Sequence, residues 1–208
     1  MSDNAVLRVT DVHKSYRQRR VLRGVDLRVA QGELVGVVGE NGAGKTTLLR
    51  ILAGLLRPQR GEVAVTGKLG YCPQFAVLND ALSVDQHLRF LQVSYGLARL
   101  DRAYELVERL RFEQYRRSAV GRLSGGTKQK LNLVLALMHD PAVVLLDEPY
   151  QGFDWETYVR FWDIASELRE AGRAVLVISH LAFDIKRFST LHRLQDGVLT
   201  LSTVDSHQ

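Results

Sequence analysis

The hydrophobic positions near the start of the chain alternate with polar ones, a pattern typical of half-buried β-strands. One alternating segment covers residues 7–12 and a second covers residues 25–29, with a polar turn at residues 17–20 between them. This arrangement predicts an antiparallel β portion at the beginning of the chain. Alternation returns over residues 61–71 and ends before Pro73, which cannot donate to a strand ladder.

Three other segments are continuously apolar, which indicates strands buried on both faces of a sheet. They cover residues 34–38, 143–146 and 174–178. The first strand leads through a glycine-rich loop into a predicted helix over residues 46–56, which Pro58 ends. Between the last two strands, apolar spacing predicts another helix, which carries Phe161, Ile164, Ala165 and Leu168. Strands that alternate with helices are typical of a mainly parallel α/β core.

The middle of the chain changes to a helical period. Apolar residues lie on helical stripes through residues 83–110, and a further helix follows a loop at residues 123–126 and ends near Pro141. We therefore expect a mainly helical insert at about residues 80–140 within the α/β pattern. The chain has 208 residues, of which 46% are hydrophobic, and both figures fit one core. The sequence thus predicts a single α/β domain over residues 1–208.

No apolar segment of the sequence approaches the roughly 20 residues that a membrane-spanning helix needs. The first residues include Asp3 and lack the basic and apolar regions of a secretory signal, so we expect the protein in the cytoplasm. Cys72 is the single cysteine of the chain, which excludes an internal disulfide and a metal site built from several cysteines. We expect it to be a buried thiol.

The chain is basic, with 28 Lys and Arg residues against 23 Asp and Glu residues and a net charge of +5. This balance favours anionic neighbours, including nucleotides, lipid headgroups and nucleic acids. Arginines cluster at residues 17–23 and again at residues 109–117. A surface for nucleic acid would combine such arginines with a regular platform of aromatic residues for base stacking, and we find none. We interpret both clusters as solvated surface and expect no nucleic-acid partner.

Residues 39–46 match the pattern of a phosphate-binding loop, between the apolar strand and the predicted helix. The residues are Gly39, Glu40, Asn41, Gly42, Ala43, Gly44, Lys45 and Thr46. The glycines allow backbone amides to surround phosphate oxygens, and the helix start adds its positive end. Lys45 supplies a charge to the β and γ phosphates, and Thr46 offers its hydroxyl to Mg²⁺. A glycine-rich turn with an incidental lysine would rarely match eight positions in this setting, so we expect ATP at residues 39–46 and at Thr47.

The apolar strand at residues 143–146 ends in two acidic residues, Asp147 and Glu148. Open α/β sheets bind ligands at the carboxyl ends of their strands, so both carboxylates are expected at the phosphate site. Asp147 is predicted to hold Mg²⁺, and Glu148 is predicted to orient the attacking water or accept its proton. An acid at a strand end is often only a cap of the next turn. The phosphate loop makes the catalytic interpretation the stronger one.

A second anion-binding helix start is predicted at Ser124, Gly125 and Gly126, which follow Leu123. In isolation this element is an ordinary serine-glycine loop. Between the phosphate loop and the acidic strand it resembles the signature of the ABC ATPases, and the resemblance covers nearly the whole chain. It implies the P-loop ABC ATPase fold, in which a mainly parallel sheet carries an antiparallel β portion and a helical insert. It also implies ATP and Mg²⁺ as ligands and places the signature residues against ATP.

The resemblance implies roles for four further residues. Tyr16 resembles the aromatic residue that stacks on adenine, and Gln74 resembles the loop glutamine that touches Mg²⁺ and water and communicates with membrane subunits. His180 resembles the switch histidine that contacts the γ phosphate, and Asp154 resembles the aspartate that communicates across a dimer. Plain structural alternatives exist, such as a half-buried strand aromatic for Tyr16 and a structural strand-end histidine for His180.

The chain departs from the family pattern in three respects. Thr127 stands where the family usually has glutamine, and residues 150–153 replace a common stretch of small residues. Neither departure removes a group with a predicted chemical role. The segment at residues 45–74 is short for the family, which predicts a trimmed antiparallel β portion.

The resemblance implies a function in ATP-driven transport. Two copies would enclose ATP head to tail, with the phosphate loop of one copy facing residues 124–126 of the other. Separate transmembrane subunits would dock over Gln74 and the helical insert, at the inner face of the cell membrane. Residues 82–97 resemble the corresponding stretch of bacterial subunits that export drugs, haem or polysaccharides, so we expect export.

Other classes of ATPase compete with this interpretation. The main alternative is a soluble ABC ATPase for iron–sulfur assembly, ribosomes or DNA, whose ribosomal members usually carry two cassettes and whose DNA-repair members carry a coiled coil. Neither feature is present in this sequence. A monomeric P-loop kinase would have no use for residues 123–126 or His180. A regulatory subunit without hydrolysis is disfavoured because Lys45, Asp147, Glu148 and His180 are all present.

Overall fold

The computed structural model describes residues 4–75, 77–179 and 182–202, without the side chains of residues 182–184. Within these ranges the strands are β1 (Ala5–Tyr16), β2 (Arg19–Ala30), β3 (Leu34–Val38), β4 (Arg60–Val65), β5 (Leu69–Cys72), β6 (Val143–Asp147), β7 (Ala174–Ile178), β8 (Thr190–Gln195) and β9 (Val198–Leu201). The α-helices are α1 (Lys45–Leu52), α2 (Val84–Tyr95), α3 (Asp101–Arg109), α4 (Gly125–Leu137) and α5 (Trp155–Glu170). Short 3₁₀ helices cover Glu113–Tyr115, Val120–Arg122 and Ala182–Arg187.

The strands form two sheets. Strands β2, β1 and β4 form an antiparallel sheet in that order, and strands β5, β6, β7, β3, β8 and β9 form a larger sheet. Neighbouring strands of the larger sheet are parallel except for β8 and β9, which are antiparallel. A mainly parallel core with an antiparallel portion at the chain start agrees with the fold class predicted from the sequence.

The alternating stretch at residues 61–71 is divided between the two sheets. Strand β4 pairs with β1 in the small sheet, whereas β5 pairs with β6 at the edge of the large one. Gly67 lies between them with a φ of 90°, in the left-handed region that glycine favours. The alternation predicted strand structure but could not show that the chain changes sheets at this turn.

The central strands of the large sheet are buried on both faces. In β6, Val144 and Leu146 belong to a core cluster shared with α2, α3, α4 and α5. Val143 and Leu145 belong to a second cluster, shared with α1 and the small sheet. Successive side chains of a strand point to opposite faces, so each strand serves both clusters in turn. This two-sided burial explains why β6 and β7 are continuously apolar.

Helices α2, α3 and α4 follow β5 and precede β6, in the region where the change of period predicts helices. Helix α2 begins with a capping box. The Ser83 hydroxyl accepts a hydrogen bond from the Gln86 amide, and the Gln86 side chain accepts one from the Ser83 amide. Among the described residues, no helix has both the length and the apolar character needed to cross a membrane.

Helix α1 is shorter than the sequence predicts. It ends at Leu52 rather than at Leu56. Gly54 has a φ of 73°, and the amides of Leu55 and Leu56 both donate to the carbonyl oxygen of Arg50. A glycine in the left-handed conformation is a common way to end a helix. The expectation that Pro58 ends this helix is therefore wrong by about one turn.

The loop after β6 places an aromatic side chain in the core. Tyr150 is 6% exposed, and its ring packs edge-on against Tyr158 and Phe161 of α5, with ring centroids 5.3 and 5.6 Å away. Its hydroxyl shares a 2.5 Å hydrogen bond with the hydroxyl of Ser179, the residue after β7. Tyr150 therefore fastens the end of β6 to the end of β7. The large residue in this loop fills space beneath α5.

Tyr150→Phe should remove this hydrogen bond and keep the ring contacts. We expect the free energy of unfolding to fall by about 1 kcal/mol, the usual net contribution of a hydrogen bond between neutral groups. Urea denaturation followed by circular dichroism measures the change. Tyr115→Phe is the control because Tyr115 is 41% exposed. Equal stability of Tyr150→Phe and the unmodified protein would show that the hydroxyl does not fasten the two strands.

Candidate functional site

The phosphate loop between β3 and α1 has a backbone that requires glycine. Gly42 and Gly44 have φ angles of 80° and 107°, in the left-handed region that other residues rarely adopt. A Cβ atom on Gly39 would lie 2.3 Å from the carbonyl oxygen of Leu194, so space also restricts the loop. These glycines allow the tight curvature that turns backbone amides towards a bound phosphate.

Lys45, the first residue of α1, lies across this loop. It is 7% exposed, and its Nζ atom donates to the carbonyl oxygens of Gly39 and Glu40 at 2.6 and 3.0 Å. Among the described residues, Lys45 forms no ion pair with a carboxylate. Its positive charge is thus held at the loop by neutral acceptors and remains available to an anion.

Strand β6 delivers two carboxylates to the same edge of the sheet. Asp147 is the last residue of β6, and Glu148 has a φ of 47°, so the backbone turns directly after the strand. Adjacent residues of a straight strand would point to opposite faces. Here Asp147 accepts a hydrogen bond from Thr46, and Glu148 accepts one from Gln74 at 3.1 Å. The turn at Glu148 therefore brings both acids to the phosphate loop.

Asp147 is a buried carboxylate with an incomplete set of hydrogen bonds. It is 1% exposed, and its Oδ2 atom has no hydrogen-bond partner among the described residues. Burial raises the pKa of Asp147 above its usual value, whereas the Thr46 hydrogen bond lowers it. A hard cation beside Oδ2 would supply the missing partner. One carboxylate, one hydroxyl and the oxygens of a phosphate substrate are ligands that suit Mg²⁺.

A cavity of about 420 Å³, which we call the phosphate-loop cavity, lies beside these groups. Gln74 and Glu148 line it from the sheet edge, and Tyr16, which is 47% exposed, lines it from the end of β1. Gly39 and Ala43 belong to the same loop but line a neighbouring cavity. The other residues around the phosphate-loop cavity are Arg19, Val21, Asn41, Gly42, Gly44, Lys45, Thr46 and Thr47. Its volume lies in the range of small-molecule sites.

Two polar side chains of α4 hold the segment before Gln74. Asn132 Nδ2 donates to the carbonyl oxygen of Pro73 at 2.7 Å, and Gln129 Nε2 donates to the sulfur of Cys72 at 3.7 Å. Both side chains belong to buried residues, and burial raises the pKa of the Cys72 thiol. Sequence reasoning missed this support for Gln74. The signal was Asn132, a polar residue that interrupts an otherwise apolar helical run.

Ser124 caps the start of α4. Its Oγ atom accepts a hydrogen bond from the amide of Thr127 at 3.2 Å and lies 2.9 Å from the Thr127 hydroxyl. Gly125 and Gly126 form the first turn, where helix amides have no partner within the helix. Among the described residues that line the phosphate-loop cavity, none comes from residues 124–126. The chain does not bring this element to its own phosphate loop.

The start of α4 touches the loop that follows Glu148. A Cβ atom on Gly126 would lie 2.3 Å from the carbonyl oxygen of Gly152, so the two backbones are in contact. Asp154 caps α5 by accepting from the Thr157 amide at 2.8 Å. The Nζ atom of Lys130 on α4 lies 3.8 Å from the Asp154 carboxylate. The loop and the start of α4 therefore form one packed unit.

The predicted switch residue His180 lies outside the described residues. The strand that leads to it is described. The amide of Ser179 donates to the carbonyl oxygen of Val37 at 3.1 Å, which places the end of β7 beside the end of β3.

Comparison with known proteins identifies relatives over most of the chain. The model of the ABC transporter family matches residues 22–151. An uncharacterized ABC transporter ATP-binding protein of Methanocaldococcus jannaschii is 33% identical over 94% of this chain and 73% of its own length. A zinc import ATP-binding protein of Pseudomonas entomophila is 39% identical over 86% of this chain and 70% of its own length. A daunorubicin resistance ATP-binding protein of Streptomyces coeruleorubidus is 38% identical over 85% of this chain and 60% of its own length.

Solved structures share the architecture. The structure of an ATP-binding subunit of an ABC transporter matches with a TM-score of 0.90 and 29% identity, over 96% of this chain and 90% of its own. A dimeric bacterial ABC transporter cassette matches with a TM-score of 0.87 and 24% identity, over 97% of this chain and 100% of its own. At this identity the match shows a shared fold and no more. The predicted fold is confirmed, and the chain belongs to the ABC transporter family as an ATP-binding subunit.

Proposed function

We propose that this protein hydrolyses ATP to drive the movement of a substrate through separate transmembrane subunits. Hydrolysis of ATP is the general activity of the ABC ATPase family. The observation that supports the proposal most strongly is that Lys45, Gln74 and Glu148 all line one cavity. Asp147 lies next to that cavity through its hydrogen bond with Thr46.

The phosphate-loop cavity would bind ATP with its phosphates on the loop and its adenine on the exposed ring of Tyr16. Lys45 would contact the β and γ phosphates. Glu148 would orient a water and accept its proton as the water oxygen attacks the γ phosphorus, while the bond to the β–γ bridging oxygen breaks. Gln74 would position the Glu148 carboxylate through their hydrogen bond. His180, by its resemblance, would contact the γ phosphate.

Thr46, Gln74 and Asp147 are the residues that we propose to hold Mg²⁺. The bound ion would neutralise part of the phosphate charge. Asp147 offers an oxygen that lacks a hydrogen-bond partner among the described residues. Thr46 also hydrogen-bonds to that carboxylate, so a hydroxyl and a carboxylate lie together where the ion would bind.

The place of residues 124–126 supports a head-to-tail dimer. Their capped helix start suits an anion, yet they do not line the phosphate-loop cavity of their own chain. Two facing copies would set residues 124–126 of one against the phosphate loop of the other and enclose two ATP molecules. Contact between Gly126 and Gly152 would then connect each enclosed ATP to the loop after Glu148 in the other site.

Exposed apolar side chains mark the surface that we propose for the transmembrane subunits. Phe75 and Val77, next to Gln74, are 74% and 98% exposed. Phe90 and Val93 of α2 are 66% and 82% exposed, and residues three apart share one face of a helix. Large apolar groups left in water often mark a protein contact. Docking here would place the protein at the inner face of the cell membrane.

Export is the direction of transport that we propose. The resemblance of residues 82–97 to exporter subunits supports it, and so does a relative that is named for Nod factor export, from Cupriavidus metallidurans. Import is the second candidate, which the relative named for zinc import favours. A soluble ABC ATPase without a transport partner would attach to no membrane.

Glu148→Gln should block hydrolysis and keep ATP binding. The amide has the shape of the carboxylate but cannot accept the proton, and a lost general base slows reactions by about 10²–10⁴-fold. We expect kcat to fall by about this factor with little change in the Kd for ATP. Single-turnover hydrolysis and equilibrium binding measure the two quantities. Glu62→Gln, an exposed position on β4, is the control. Turnover at the unmodified rate would refute the role of Glu148.

Replacing Phe90 and Val93 together by aspartate should release the protein from membranes. The unmodified protein should sediment with membranes of cells that make its partner, at salt concentrations that screen a purely electrostatic contact. The double variant should stay in the supernatant. Leu201→Asp on β9 is the control, since Leu201 is also exposed, and circular dichroism checks the fold of each protein. Attachment of the double variant at the unmodified level would exclude this surface, and an unmodified protein that never sediments would favour the soluble class.

A further inference from the structure

A second cavity, of about 400 Å³, adjoins the phosphate-loop cavity. Its walls are the start of β2, the phosphate loop and the turn between β8 and β9. Backbone contacts fix these walls to one another. The Arg23 amide donates to the carbonyl oxygen of Gly197 at 2.8 Å, and the Gly39 backbone presses against the carbonyl of Leu194. The cavity is therefore built into the packing of three elements.

Four arginines line this second cavity, and we call it the arginine cavity. They are Arg19, Arg20, Arg23 and Arg193. Two acidic residues, Glu40 and Asp196, also line it. Within the described part of the chain, none of the four guanidinium groups forms an ion pair with a carboxylate. Two of these arginines donate hydrogen bonds to backbone carbonyl oxygens. Arg19 Nη2 donates to Gly42 at 2.8 Å, and Arg23 Nη1 donates to Asp196 at 3.5 Å.

Several arginines elsewhere in the described part of the chain have acidic partners. Arg116 Nε lies 2.9 Å from Asp85, and Arg173 Nη2 lies 2.6 Å from Asp140. The arginine cavity differs because several positive groups converge on one concave space without such pairing. Like charges that converge repel one another, and a concave wall focuses their field. An anion in the cavity would relieve that repulsion.

We propose that the arginine cavity binds an anion that carries several phosphate groups. Guanidinium groups match phosphate oxygens with paired, charge-assisted hydrogen bonds, and four of them suit a ligand with more than one phosphate. The volume of the cavity lies in the range of small-molecule sites. Arg20, Arg23 and Arg193 line this cavity but not the phosphate-loop cavity, and the two cavities share Arg19, Val21, Asn41 and Gly42.

Occupancy of the arginine cavity is coupled to ATP binding through the phosphate loop. Arg19 lines both cavities and donates to the carbonyl oxygen of Gly42 in that loop. Two polyanions on either side of one loop repel each other. Each ligand therefore weakens the binding of the other, and thermodynamic linkage makes the two factors equal.

The test uses calorimetric titration with tripolyphosphate in a Lys45→Ala background, where the phosphate-loop cavity has lost its lysine and keeps Arg19. We expect one binding event, and adding Arg20→Gln and Arg193→Gln should weaken it by at least about tenfold. The matched control adds Arg117→Gln, an exposed arginine outside the cavity, and should leave the affinity unchanged. Equal affinity in all three proteins, or an equal loss in the control, would overturn the proposal. This binding requires no hydrolysis, so its outcome is independent of the proposed function.

Two further arms keep the test decisive. If Lys45→Ala does not fold, the same titration in the unmodified protein should show two bound tripolyphosphates, and the Arg20→Gln and Arg193→Gln variant should show one. Sedimentation with phosphatidylcholine vesicles, with and without a phosphatidylinositol bisphosphate, separates a free polyphosphate ligand from a lipid headgroup with several phosphates. Arginine-dependent binding to the vesicles alone would assign the same chemistry to a headgroup. Binding to neither probe would overturn the site.

Discussion

The parallel pairing of β3, β7 and β6 is the constraint on which the rest of the structure depends. Val37 of β3 and Asp147 of β6 both pair with Ile178 of β7. This register sets the phosphate loop and the acidic end of β6 at one edge of the sheet, level with each other. A slip of one residue in β6 would turn the side chain of Asp147 to the opposite face, away from Thr46.

The burial that fixes this strand register also raises the pKa of Asp147. Strand β6 has an apolar cluster on each face, so the residue at its end is withdrawn from water together with its neighbours. A carboxylate in that place has a raised pKa and keeps one oxygen without a partner in the described chain. A cation beside that oxygen would offset the cost of burying the carboxylate.

The sequence predicts those parts of the fold that depend on local pattern, such as the apolar strands, the loop at residues 39–46 and the capped start of α4. It could not place the change of sheet at Gly67 or the support that Asn132 gives to Pro73, because both depend on contacts between distant segments. For the site, order and spacing find Gln74 and Glu148. Their hydrogen bond becomes visible only when β5 and β6 lie side by side.

In the proposed dimer, residues 124–126 would complete the ATP site of a second copy. The most direct measurement is the molar mass of Glu148→Gln protein by size-exclusion chromatography with light scattering, with and without Mg-ATP. With hydrolysis blocked, we expect a dimer in Mg-ATP and a monomer without nucleotide. We expect a monomer in both conditions once Ser124→Arg is added, because the arginine fills the signature side of the shared site. A Glu148→Gln protein that stays monomeric in saturating ATP at high protein concentration, or a dimer that survives Ser124→Arg, would contradict the head-to-tail dimer.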